Sequence, residues 1–117
     1  MLEPESLRDL VTEALDEMKG FDVKVLDVRR LTPLTDFMVV ASGTSDRHVR
    51  ALARSVVEKA SAQGNAPLGI EGDREGEWVL VDLADVIVHV MLPRVRDFYQ
   101  LERLWAVPAR ADSATTA

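Results

Sequence analysis

Apolar residues recur in steps of three and four along the first part of the chain. Leu7, Leu10, Val11, Ala14, Leu15 and Met18 share one face, which predicts an amphipathic helix over 4–19. Pro4 suits its first turn, Glu3 and Glu5 suit the positive end of its dipole, and Gly20 is predicted to stop it. The same stripe returns at Val49, Leu52, Ala53, Val56, Val57 and Ala60. That second helix is expected to start from Thr44 or Ser45 as N-cap and to close at Gly64-Asn65. Between the helices the period changes. Residues 23–28 form a short β-rich run, and 31–36, with Thr32-Pro33 and Thr35-Asp36, read as a loop. Residues 37–41 are continuously apolar, which predicts a strand covered on both faces. A further β-rich run at 68–71 follows the second helix, so strand, helix and strand are expected to form a right-handed crossover.

The last third alternates with period two. A turn at Ala84-Asp85 would join strands 78–83 and 86–91, setting Leu83 against Val86, Val81 against Val88 and Val79 against Val90. That face is predicted to be core. The other face pairs Asp82 with Ile87, Leu80 with His89 and Trp78 with Met91, and is expected to be mixed and exposed on one side. Pro93 ends the second strand and can open a helix over 94–105, whose apolar arc is wider than a core stripe. The Ala-, Ser- and Thr-rich end predicts a domain over 1–107 and a disordered tail over 108–117.

Composition narrows the function. Length, 117 residues, fits one domain, and a net charge of −6 disfavours direct binding to a phosphate backbone while favouring a basic protein partner. There are no cysteines, which excludes disulfides, thiolate metal sites and a cysteine nucleophile. The acid-bearing N-terminal segment does not read as a signal peptide, and no apolar run is long enough to span a bilayer, so a cytoplasmic protein is expected.

Candidate chemistry is sparse. Ser42-Gly43-Thr44-Ser45 opens a helix and could hold an anion, but it lacks phosphate-loop spacing, so a helix cap is the better reading. Asp82, Asp85 and His89 are acid–base or metal candidates without a convergent arrangement in the proposed hairpin. His48 is expected in solvent on the first turn of its helix. Glu71, Asp73, Glu75, Glu77, Asp82 and Asp85 form an acidic stretch beside large apolar groups. Of the chain's aromatic residues, Phe98, Tyr99 and Trp105 fall within one short helix, and Tyr99 and Trp105 are expected to be available to a partner.

The runs from Asp36-Phe37 through Ala41-Ser42-Gly43-Thr44-Ser45-Asp46-Arg47-His48-Val49, Pro67 to Gly72, Glu75 to Leu83, Asp85 to Met91, and Arg96-Asp97-Phe98-Tyr99 with Leu101 to Trp105 resemble the ribosomal silencing factor, or Iojap-like, family. The resemblance implies a single compact α/β domain with a mixed sheet of about five strands flanked by helices, similar to the nucleotidyltransferase fold. It implies a non-enzymatic factor without cofactors that binds the large ribosomal subunit through universal ribosomal protein fourteen (uL14). There it would block joining of the small subunit and repress translation under nutrient limitation. It also implies a homodimer when free. The binding surface would carry over to Trp78, Leu80, Asp82, Leu83, Asp85, His89, Asp97, Tyr99, Leu101 and Trp105. Two rival classes remain at this stage. One is a nucleotidyltransferase, for which Gly43 and Ser45 are present but no Asp-x-Asp or Asp-x-Glu pair follows on a strand. The other is a homodimeric structural module.

Overall fold

The amphipathic stripes form the two long helices. The structure, a computed structural model, describes residues 2–99, with side chains described as far as Arg96. Helix α1 (Pro4–Glu17) starts on its proline and buries Leu7, Val11, Ala14 and Leu15. It ends earlier than the periodicity suggests, and Met18 is exposed. The left-handed residue at its end is Lys19 (φ 63°), not Gly20. Gly20 serves close packing instead, because a Cβ there would meet the Leu15 carbonyl and the Leu52 side chain at 3.1 Å. Helix α2 (Asp46–Ala62) is capped by Ser45, whose side chain accepts from the His48 N–H. Gly64, at φ 82°, and the Asn65 N–H bond to the Ala60 carbonyl close its far end.

Five strands make one mixed sheet. They are β1 (Phe21–Asp27), β2 (Phe37–Ser42), β3 (Gly69–Glu71), β4 (Trp78–Asp82) and β5 (Val86–Met91), in the order β1-β2-β5-β4-β3. Only β2 and β5 pair in parallel. The crossover through α2 therefore does not place β3 beside β2. The two strands of the later hairpin fill that gap, because β5 is apolar on both faces and β3 is too short and exposed to sit at the centre. The hairpin register is the one its alternation predicts, from Trp78 opposite Met91 to Asp82 opposite Ile87. Ala84 takes the left-handed conformation at the turn (φ 72°), supported by the Asp82 carboxylate, which accepts from the Ala84 N–H at 2.9 Å.

Both helices pack on one face of the sheet. Phe37, Val39, Ala41, Val79, Val81, Leu83, Val86, Val88 and Val90 join them in the main core. The opposite face is less open than its mixed composition suggests. Val28, Met38, Val40 and Met91 form a second buried cluster, with Leu26, Leu31, Trp78 and Val95 packed against it. This second layer covers the far side of β2, every residue of which is buried. Helix α3 (Pro93–Tyr99) turns back over the Ser42–Met91 end of that face. Arg96, itself buried, donates to the Ser42 hydroxyl at 3.0 Å and so ties α3 to the end of β2. The later part of the predicted helix, including Leu101 and Trp105, and the predicted tail lie outside the described residues.

Candidate functional site

The candidate site is the face of the sheet turned away from α1 and α2. Strand register orders it in rows. Lys24, Val40, His89, Leu80 and Glu71 stand side by side across all five strands. The next row is Leu26, Met38, Ile87, Asp82 and Gly69. On β2 these rows are buried in the second cluster, with Leu26 of β1 packed against it. Toward β4 they open, and Trp78, Leu80, Asp82 and Ile87 are each half-buried. The result is an apolar patch with a cation at the β1 edge and acids at the β3 edge.

The acidic stretch borders the open side. Glu71, Asp73, Glu75 and Glu77 are exposed, and Asp82 and Asp85 are partly so. The loop that carries them is held in shape. Gly72 (φ 82°) and Gly76 (φ 75°) supply left-handed turns, and the Gly76 N–H donates to the Gly72 carbonyl at 3.0 Å. A Cβ on Gly72 would fall 2.0 Å from the Trp78 carbonyl oxygen, so the loop passes directly over the start of β4. From α2, the Arg50 guanidinium pairs with Asp46 at 3.2 Å and donates to the Arg74 and Glu75 carbonyls at 3.4 and 3.3 Å. Arg94 pairs with Glu77 across 3.1 Å, linking the loop to α3.

Two of the expected surface residues are buried. Leu83 is 4% exposed and belongs to the main core, because the period-two alternation that exposes Asp82 turns Leu83 inward. It is therefore not part of the open face. His89 is 7% exposed, and its Nδ1 accepts from the Trp78 indole N–H at 2.9 Å. Burial pushes its pKa down to about 4, so the ring is neutral at pH 7. The side chains of Asp97 and Tyr99 lie outside the described residues, as do Leu101 and Trp105 entirely. Ile87 was not among the expected contacts. It is half-buried beside Asp82, and the pairing of the two was legible from the hairpin alternation.

Catalytic candidates do not assemble. Asp82 is engaged by the Ala84 N–H, and the Asp85 carbonyl accepts from the Asp36 and Phe37 amides. Among the described residues no group of three or more His, Cys, Asp or Glu side chains is placed to hold a metal ion. A depression of about 570 Å³ does lie at the start of α2, but Asp46, Glu75 and Glu77 line it beside Thr44, Ser45 and Arg94. Three carboxylates oppose an anion there, so the cap is the structural meaning of the Ser-Gly-Thr-Ser turn. Gly43 in that turn is needed for packing, since a Cβ would meet the Val49 side chain at 2.9 Å. His48 is not simply solvated: its Nδ1 accepts from the Thr44 N–H at 2.9 Å, and its Nε2 donates to the Met18 carbonyl at 2.8 Å, joining the turn to the end of α1.

This arrangement is an α/β domain with a mixed five-stranded sheet, one face covered by two helices and the other partly open. The chain belongs to the ribosomal silencing factor family: residues 2–116 match the family model described as "Ribosomal silencing factor during starvation". It is 50% identical over 104 residues to the ribosomal silencing factor of Chromobacterium violaceum, covering 89% of this chain and 85% of that one. A crystal structure of a protein from the same organism superposes with a TM-score of 0.88 at 50% identity, over 90% of this chain and 88% of that one. A more distant relative is the mouse protein named mitochondrial assembly of ribosomal large subunit protein 1. It is 31% identical over 102 residues, covering 85% of this chain and 45% of its own length.

Proposed function

We propose that this protein binds the large ribosomal subunit through universal ribosomal protein fourteen and keeps the small subunit from joining, repressing translation under nutrient limitation. It acts by occlusion, without catalysis or a cofactor. Membership of the silencing family supports a ribosomal role, and the mouse relative's name points to the large subunit. The observation that carries the mode of binding is the half-buried patch of Trp78, Leu80 and Ile87 within an acidic border. Apolar centres inside polar rims supply most of the affinity in protein interfaces, and an acidic rim steers a basic partner. Asp82 and Asp85 belong to that rim. Asp97, Tyr99, Leu101 and Trp105 are proposed to extend the surface. The free protein is proposed to be a homodimer, which analytical ultracentrifugation would detect.

Sucrose-gradient sedimentation with separated subunits tests the proposal. Co-migration with the large subunit, together with loss of the joined ribosome peak, is the expected result. Migration with the small subunit, or an undiminished joined peak at saturating protein, would refute it.

A further inference from the structure

The indole of Trp78 stands at the boundary between the covered and open parts of the outer face. It packs against the second buried cluster while remaining half-buried itself. One contact that orients it comes from β5. Leu80 is directly opposite His89 and Trp78 opposite Met91, so Trp78 and His89 are diagonal neighbours on one face. Their rings are 5.9 Å apart and tilted by 48°, and the indole Nε1–H reaches the imidazole Nδ1 at 2.9 Å. An indole nitrogen can only donate, so Nδ1 must present its lone pair. The ring is then the neutral tautomer with its proton on Nε2.

Filling space does not explain a histidine here. Its in-register neighbours are Val40 on β2 and Leu80 on β4, both apolar, and the charged members of the row, Lys24 and Glu71, stand at its two far ends. A leucine would suit such surroundings. Histidine adds a buried acceptor aimed at the indole, and that acceptor rewards one orientation of Trp78 over the others.

We propose that His89 is a positioning residue for the docking face: it accepts the Trp78 indole N–H and so holds the indole in the orientation offered to a partner. Only the last step, presentation to a partner, rests on the proposed function. The orienting of Trp78 is a property of the free protein.

The chain has two tryptophans, so its ¹H–¹⁵N spectrum carries two indole N–H signals, and Trp78→Phe assigns them. In His89→Leu the Trp78 indole signal is expected to move toward that of free indole, with solvent exchange at least about tenfold faster. In His89→Asn the side-chain carbonyl can take the place of Nδ1, and most of the protection should return. A thermal melt of each variant confirms folding. Large subunits should then bind His89→Leu several-fold more weakly than His89→Asn. An unchanged indole signal in folded His89→Leu, or equal loss in both variants, overturns the proposal. If the indole responds as expected but neither variant nor Trp78→Ala alters subunit binding, the positioning of Trp78 stands and the assignment of this face to docking fails.

Discussion

Leu80 and Val81 are consecutive residues on β4 with opposite fates, and they separate docking from folding. Val81 is fully buried in the main core, whereas Leu80 is half-buried on the outer face between His89 and Glu71. Val81→Ala removes two buried methyl groups at about 0.8 kcal/mol each, and the residual cavity brings the loss to about 2 kcal/mol. For a chain of this size that lowers the melting temperature by roughly 6–10 °C. Leu80→Ala removes a side chain that is partly in water and opens a surface rather than a sealed cavity, so its cost to folding is smaller, about 1.5 kcal/mol or less. The portion still exposed is what a partner can bury. Up to about a third of the roughly 2 kcal/mol for a leucine leaves about 0.7 kcal/mol, or about threefold in affinity, and more if Leu80 lies at the centre of the interface. Thermal melts and binding to purified large subunits measure the two effects. The expected pattern is crossed: Val81→Ala melts early but binds normally below its transition, and Leu80→Ala melts later than Val81→Ala but binds weakly. If Leu80→Ala binds with undiminished affinity, or loses as much thermal stability as Val81→Ala, the division of the sheet into a core face and a docking face is wrong.

Further consequences follow from the turns and the buried histidine. Gly72→Ala places a Cβ against the Trp78 carbonyl and forces an alanine to φ 82°; the left-handed conformation alone costs about 1–2 kcal/mol, so denaturant unfolding should show a loss of at least that size. Ser45→Ala removes the cap of α2 and should cost about 1 kcal/mol, with Ser45→Gly costing less, in the same measurement. The His89 pKa of about 4 lies below the ordinary value of 6.5, so the unfolded state binds the extra proton. Its contribution to stability is therefore complete above pH 6.5 and lost as pH falls through 4, by at most about 3 kcal/mol. Wild type should lose more stability than His89→Asn over that window, and parallel pH profiles would show that the ring titrates normally. Raising salt should slow association with the large subunit while leaving dissociation nearly unchanged, because Glu71, Asp73, Glu75 and Glu77 are exposed and screened; a salt-independent association rate would remove the acidic stretch from the interface.

Amphipathic stripes and alternation made most of the elements legible. The buried residues of α1 and α2 are among those the three-and-four spacing selects, and the β4–β5 register follows once the turn is placed at Ala84-Asp85, which sets six apolar residues against one another. The Ala84-Asp85 turn was also legible, although Ala-Asp is not a strong hairpin signal; the Asp82 side chain supplies the missing support. The family resemblance rested on runs of residues rather than on periodicity, and the family match bears it out.

Strand order was not legible in the same way. Local pattern makes α2 lead to β3, and nothing local says that β4 and β5 enter between β3 and β2. That is decided by burial: the sheet's centre must take strands apolar on both sides, and β2 and β5 are those strands. The candidate site shows the same limit. Sequence alone determined which side chains share the outer face, because side chains alternate with a period of two whatever the fold. Which of them are covered was fixed only when Val28, Leu31 and Val95 closed over Met38, Val40 and Met91, leaving Trp78, Leu80 and Ile87 half-open. His89 passed from candidate contact to buried acceptor for the same reason. A face is a property of one strand, but its exposure depends on segments distant in sequence, and those meet only in the folded chain.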